Sequence, residues 1–169
     1  MILCPLQNTA LLKRDWIQVR PYITQKFGLN PDVYSQFGMD GHNGTDFRAR
    51  IGTQVFSPID GTVKVKKNES GYGWHVKIRG VDREIVLGHL SKFHVNDGQR
   101  VHMGDKIGLT GNTGFSTAPH LHFGLRRIKK GVKDIFKWDV KNYNNGYFGY
   151  EDVEMYMVTF KGTLYLKNL

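Results

Sequence analysis

The chain has one cysteine, Cys4, among its 169 residues. An internal disulfide framework is therefore excluded, and so is a cysteine-rich structural zinc site. Any zinc bound here must be held by histidine and carboxylate. Long apolar runs are also missing, and no segment is apolar enough to span a membrane. The opening Met1-Ile-Leu-Cys-Pro-Leu-Gln lacks a charged leader followed by a long apolar stretch, which argues against a secretory signal. Acidic residues are the scarcer charge. There are 15 Asp and Glu against 24 Lys and Arg, a net charge of +9. The excess is small over residues 1–60 and larger over residues 61–124 and 125–169. Such a surface favours polyanions, whether nucleic acid, anionic lipid or teichoic-acid-type polymers. Charge alone does not choose among them.

What is abundant is glycine, with 20 residues recurring between short apolar runs, a pattern of many short strands and tight turns. Residues 1–20 read as a lead-in. From Pro21, Thr24-Gln-Lys-Phe27 reads as a short strand, and the stretch from Asn30-Pro31-Asp32 to Asp40-Gly41 as a loop carrying Tyr34 and Phe37. Gln54–Pro58 and Gly61–Val65 read as a hairpin around Asp60-Gly61. Trp74–Ile78 alternates, Glu84–Leu90 is a continuous apolar run suited to a buried strand, and short strands follow around Val95–Val101 and Gly104–Leu109. His120–Leu125 alternates cleanly, with Leu121, Phe123 and Leu125 on the core face and His120, His122 and Gly124 on the other. The basic run from Arg126 to Lys130 breaks that pattern, and the tail reads as a hairpin around Lys161-Gly162.

Seven histidines need sorting. His94 and His102 lie in polar, turn-like surroundings, and His75 could face either way along its strand. Four residues fall into two tight groups, His42-Asn-Gly-Thr-Asp46 and His120-Leu-His122. In an extended chain, side chains two or four positions apart share a face, so each group can present its polar pair together. Two imidazole nitrogens and a carboxylate oxygen are a usual catalytic zinc set, with the fourth position left to water. His89 ends an apolar strand, where a histidine is either a satisfied core polar group or a site residue on a rigid element. The glycine-rich Gly111–Gly114 stretch lacks the lysine of a phosphate-binding loop and precedes a strand rather than a helix.

Four ordered stretches resemble the lysostaphin-like (LytM-type) zinc metallopeptidases that cut peptidoglycan peptides. They are Gly41–Asp46, Gly52–Val63, Gly88-His89-Leu-Ser91 and Gly111–Phe123, covering roughly residues 22–125. The resemblance implies an all-β fold, an antiparallel sheet or sandwich of the duplicated hybrid motif type with a narrow, loop-walled groove. The walls fall at residues 29–41 and 111–119. It implies that His42, Asp46 and His122 hold Zn2+, and that His89 and His120 are catalytic histidines outside the metal shell. Tyr34 is a candidate for contact with the substrate oxyanion. The implied reaction is endopeptidase cleavage of stem or cross-bridge peptides by a metal-activated water; the alternative is a catalytically inactive peptidoglycan-binding or regulatory domain on the same fold. Trp74, Leu87 and Ala118 depart from residues usual in the family, and these departures bear on substrate fit.

The expected organisation is a lead-in over residues 1–20, the metallopeptidase domain over 21–125 and an extension over 126–169 packed on the same domain. The expected partners are peptidoglycan peptides and anionic cell-wall polymers, with no nucleic acid and no membrane span. The expected place of action is the cell wall, outside the cytoplasm or on a virion, the member being phage-associated in the latter case.

Overall fold

The computed structural model describes residues 2–3, 5–6, 22–130, 137–160 and 163–166. The strands run in order as β1 (Ile2–Leu3), β2 (Ile23–Gln25), β3 (Thr45–Arg48), β4 (Gln54–Phe56), β5 (Gly61–Lys67), β6 (Trp74–Arg79) and β7 (Arg83–Gly88). They continue as β8 (Leu90–Phe93), β9 (Arg100–Val101), β10 (Lys106–Thr110), β11 (His120–Arg127), β12 (Tyr150–Glu151), β13 (Met157–Phe160) and β14 (Thr163–Leu166). One short helix, α1 (Pro31–Tyr34), and a 3-10 turn over Ser35–Phe37 stand between β2 and β3.

The main antiparallel sheet is ordered β2-β3-β11-β7-β6-β5-β9, with β12 pairing beyond β3 along the same edge of β11. A second sheet, β4-β10-β8, lies against it, and β1-β14-β13 forms a third. The expected all-β, antiparallel architecture is borne out.

The core follows from the alternation of β11. Leu121, Phe123 and Leu125 are fully buried, together with Phe47 on β3, Ile85 and Leu87 on β7, and Val76 and Ile78 on β6. The second sheet closes this face with Val55, Leu90 and Ile107. Each such side chain contributes about 1.5–3 kcal/mol when removed from water. The opposite face of the main sheet carries His120, His122, Gly124 and Arg126, so a hydrophobic driving force on one side fixes where the polar set must go.

Several local expectations need correction. Gln54–Phe56 and Gly61–Val65 do not form a hairpin with each other: β4 pairs with β10, whereas β5 pairs with β6 and β9. Ser57 is tied instead to the 104–105 turn, its N–H donating to Asp105 O at 2.7 Å and its carbonyl accepting from Gly104 N at 2.8 Å. The chain therefore crosses between sheets at Asp60-Gly61. The 29–41 segment is not a plain loop, because Asn30 takes a left-handed conformation (φ 56°) and Pro31 starts α1. β2 ends at Gln25 rather than Phe27, since Gly28 N–H donates to His42 O and turns the chain. β11 does not stop at Leu125: its pairing with β7 runs on to Arg127 opposite Arg83.

The tail pairs as expected, Phe160 opposite Thr163, and β14 also pairs with β1. Of the lead-in, residues 7–20 lie outside the described residues.

Phe123→Ala is expected to cost about 3–5 kcal/mol of stability, measured by chemical denaturation. Val81→Ala, at a position 72% exposed, should stay within about 0.5 kcal/mol.

Candidate metal centre

The register of β3 against β11 sets His122 directly opposite Asp46. His42 lies four residues before Asp46 and enters from the turn that follows α1 and its 3-10 extension. His42 Nε2 is 3.0 Å from His122 Nδ1 and 3.1 Å from Asp46 Oδ1, and His122 Nδ1 is 3.0 Å from the same oxygen. All three residues are buried. The structure thus brings together the three residues expected to hold the metal, and they form a ligand cluster among the described residues.

Hydrogen-bond bookkeeping shows what this triangle is suited to hold. His42 Nδ1 faces Lys26 O at 3.2 Å. A carbonyl can only accept, so that nitrogen carries the proton and Nε2 presents a lone pair to the centre. Asp46 Oδ1 is also an acceptor. His122 Nε2 is buried with no hydrogen-bond partner. With the proton on Nε2, three lone pairs converge; with it on Nδ1, Nε2 is left as a buried acceptor without a donor. A cation facing Nδ1 removes the convergence. Ligands on tetrahedral zinc stand roughly 3.3 Å apart, from bonds of about 2.0–2.1 Å, within a few tenths of an ångström of the triangle's edges. The donor set and its spacing fit zinc.

Protonation states agree with ligation. Burial opposes ionisation of Asp46, but the imidazoles of His122 and His42 beside it outweigh that and hold its carboxyl well below the usual carboxylate range. Burial pushes His122 down to about 4, although Asp46 favours its charged form. An ionised carboxylate beside a neutral imidazole is the form a metal requires.

His89 and His120 stand next to this triangle with their rings 4.5 Å apart. His89 Nδ1 is 2.7 Å from Thr113 O, and His120 Nδ1 is 2.7 Å from Ala118 O, with Ser116 Oγ at 3.2 Å. By the same reasoning both Nδ1 atoms carry protons, leaving both Nε2 atoms unprotonated when the rings are neutral. His120 Nε2 lies 3.4 Å from Asp46 Oδ2, the carboxylate oxygen outside the triangle. His89 has φ 60°, a left-handed conformation uncommon for a non-glycine residue, and it separates β7 from β8. Burial, then the charges of His122 and His120, hold its pKa down at about 3.

All five histidine and aspartate side chains line a groove of about 380 Å³. Tyr34 lines it too, its ring 5.2 Å from that of His42, and burial followed by the Asp46 charge pushes its hydroxyl up to about 12. It is therefore a hydrogen-bond donor at any working pH. Phe37 and Phe115 meet edge-to-face at 5.3 Å, joining the two expected walls. His94 and His102 are exposed, as expected, and His75 is buried with Nδ1 on Gly73 O.

Two contributors escaped the sequence reading. Tyr72 packs on His122, rings 4.9 Å apart, and its hydroxyl accepts from Asn43 Nδ2 at 2.5 Å. Gly44 is the second: a Cβ there would stand 2.5 Å from His122 Cε1 and 2.7 Å from Nε2. The Gly71-Tyr-Gly73 turn was the available signal for Tyr72, while Gly44 was hidden because its neighbour is 78 residues away in sequence.

Residues 40–134 match peptidase family M23, over half of the chain. The chain belongs to peptidase family M23. It is 46% identical over 85 residues to the peptidoglycan DD-endopeptidase ShyA of Vibrio cholerae, covering 50% of this chain and 20% of that one. It is 44% identical over 93 residues to the glycyl-glycine endopeptidase ALE-1 of Staphylococcus capitis, covering 51% and 25%. The catalytic domain of lysostaphin from Staphylococcus simulans superposes with a TM-score of 0.57 at 28% identity, over 74% of this chain and 90% of that one. The resemblance to lysostaphin-like peptidases is thereby borne out. The chain spans only a fifth to a quarter of the length of these two curated M23 relatives.

Gly44→Ala is expected to weaken zinc binding at least about tenfold by pushing the His122 ring out of the triangle. Competition against a chelator measures this; unchanged affinity would show that the ring has room to give way.

Proposed function

We propose that the chain is a zinc-dependent endopeptidase that hydrolyses peptide bonds in bacterial peptidoglycan. The observation that carries this reading is the buried His42–Asp46–His122 triangle with the His89–His120 pair beside it in one groove. A structural zinc site is usually closed by four protein ligands, whereas three leave a position for water. The relatives named as endopeptidases act, by their names, on different bonds. They support the substrate class and leave the bond itself open.

Zinc held by the triangle would supply Lewis acidity, polarising the scissile carbonyl and lowering the pKa of a water. Asp46 leaves such a site with about one net positive charge, enough to favour a developing oxyanion. The chain's own groups do the rest. His89 and His120 are fixed by carbonyls at Nδ1, so their free Nε2 atoms can take the proton of the attacking water and return it to the leaving amine. Tyr34 stays protonated and can donate to the oxyanion. The aromatic contact between Phe37 and Phe115 ties the two walls together on one side of the groove. The substrate class places the site of action at the cell wall. No helix among the described residues is long and apolar enough to cross a membrane.

Zinc content by elemental analysis, read beside turbidity clearing of purified cell walls, tests the proposal. His122→Ala should lose both zinc and activity. His120→Ala should keep most of the zinc and lose activity by about 10²–10⁴-fold. Metal-free protein with intact lytic activity would overturn the mechanism, and a fully active His120→Ala would remove that residue from it.

A further inference from the structure

The sheet face that carries the metal centre continues past it into a second cleft of about 360 Å³, walled by five bases and two acids. The bases are Lys64 and Lys66 on β5, Lys77 and Arg79 on β6, and Arg126 on β11; the acids are Glu84 and Asp97. Arg126 lies four residues beyond His122, roughly 14 Å along the strand from the metal triangle, and Lys77 and Lys64 lie across the sheet on β6 and β5. Tyr150 stands between the two sites: a Cβ on Gly124, midway along that stretch, would meet its ring at 3.0 Å. A ligand in the cleft is thus distinct from one in the groove.

The arrangement breaks a rule of sheet stability. Lys64 pairs directly opposite Lys77, with Lys66 one step further along the same face. Like charges opposite one another destabilise a sheet. The acids offset this only in part. Glu84 is buried and shared by three cations: Arg126 at 2.7 Å, Lys77 at 3.7 Å and Arg79 at 3.8 Å. Asp97 pairs with Lys64 at 2.8 Å and also accepts from Val65 N. Lys66 has no ion-pair partner among the described residues. Arg79 Nε is buried with no acceptor. Burial lowers the Lys77 pKa, Glu84 opposes that, and the charges of Arg126 and Lys66 add to it. An excess of positive charge with an unpaired cation in one concavity points to an anion from outside the chain.

The chemistry narrows the class. Arg126, the base best placed for a fork on a carboxylate, is already committed to Glu84 through both Nε and a terminal nitrogen. The remaining donors are mostly lysine ammonium groups, which bind phosphate as point charges. Lys64 and Lys66, two residues apart on one face, are spaced by roughly 7 Å, which suits an extended chain bearing a charge at each repeat. We propose that this cleft is an accessory binding site for an extended polyphosphodiester, of the poly(glycerol phosphate) kind. Such a chain would hold the domain on an anionic wall whether or not the neighbouring groove acts as a peptidase.

Calorimetric titration with a short glycerol phosphate oligomer, beside a polyglutamate of equal charge, tests this. The intact chain should bind the oligomer more tightly than the polyglutamate. Lys66→Ala combined with Arg79→Ala should weaken oligomer binding at least about tenfold. Lys92→Ala with Lys106→Ala removes the same charge from exposed positions on the other sheet and should change binding less than about twofold. Should loss of Arg79 impair folding, Lys66→Glu alone, at an exposed position, gives the same readout. Equal binding of polyglutamate, equal loss in the Lys92/Lys106 control, or undiminished binding in the cleft variants would each overturn the proposal.

Discussion

The register between β3 and β11 is the constraint on which the rest depends. Asp46 opposite His122 places carboxylate and imidazole on adjacent strands at bonding distance before any loop is considered. A one-residue slip would turn His122 into the core and Phe123 into the groove. That slip is resisted by Phe47, Leu121, Phe123 and Leu125, all fully buried on the other face. The apolar core thus holds the metal centre in place without touching it. On the other edge of β11, the pairing with β7 gives His122 a glycine, Gly88, as its neighbour, after which His89 bends out of the strand to bring its ring beside His120.

The price of this arrangement is a buried cluster that is poorly satisfied by protein atoms alone. Two imidazoles and a carboxylate converge where at most one proton can be shared, and His122 Nε2 has no partner in either tautomer. Tyr72 and Gly44 confine the ring, so it cannot rotate to find one. Rigidity here costs stability without a cation and sharpens selectivity for one of the right size, because the ligand atoms already stand close to tetrahedral spacing. Sites of this kind are where local rules of polar satisfaction are expected to fail.

Much of this was legible in the sequence, for reasons that are physical. Alternation in His120–Leu125 is strict, so the faces of six consecutive residues could be assigned without a structure. The spacing in His42–Asp46 paired the right residues for a different reason, since His42 lies in the turn before β3 and not on an extended strand. What was not legible depended on pairing between distant segments. The Asp60-Gly61 dipeptide looks like a hairpin turn, yet the partner of β4 lies some fifty residues later, and no local pattern announces it. Gly61 is required there because a Cβ would collide with the Arg79 carbonyl of β6, not because a two-residue turn needs it. α1 was read as loop because four residues are too few to display helical periodicity.

The outer face of the main sheet is divided, and β11 shows how. Its positions 120, 122, 124 and 126 read His, His, Gly, Arg. Glycine at the third allows Tyr150 to lie on the sheet, and Tyr150 and Tyr72 fill the space between metal centre and basic cleft. Without Glu84, the cations of Lys77, Arg79 and Arg126 would face the centre uncompensated. At roughly 14 Å and an effective dielectric of 20, each would oppose a bound cation by about 1 kcal/mol. Glu84, buried among all three, removes one unit of that repulsion. One sheet face can therefore carry a cation site and an anion site only because an acid is buried beneath the second and two tyrosines stand between them.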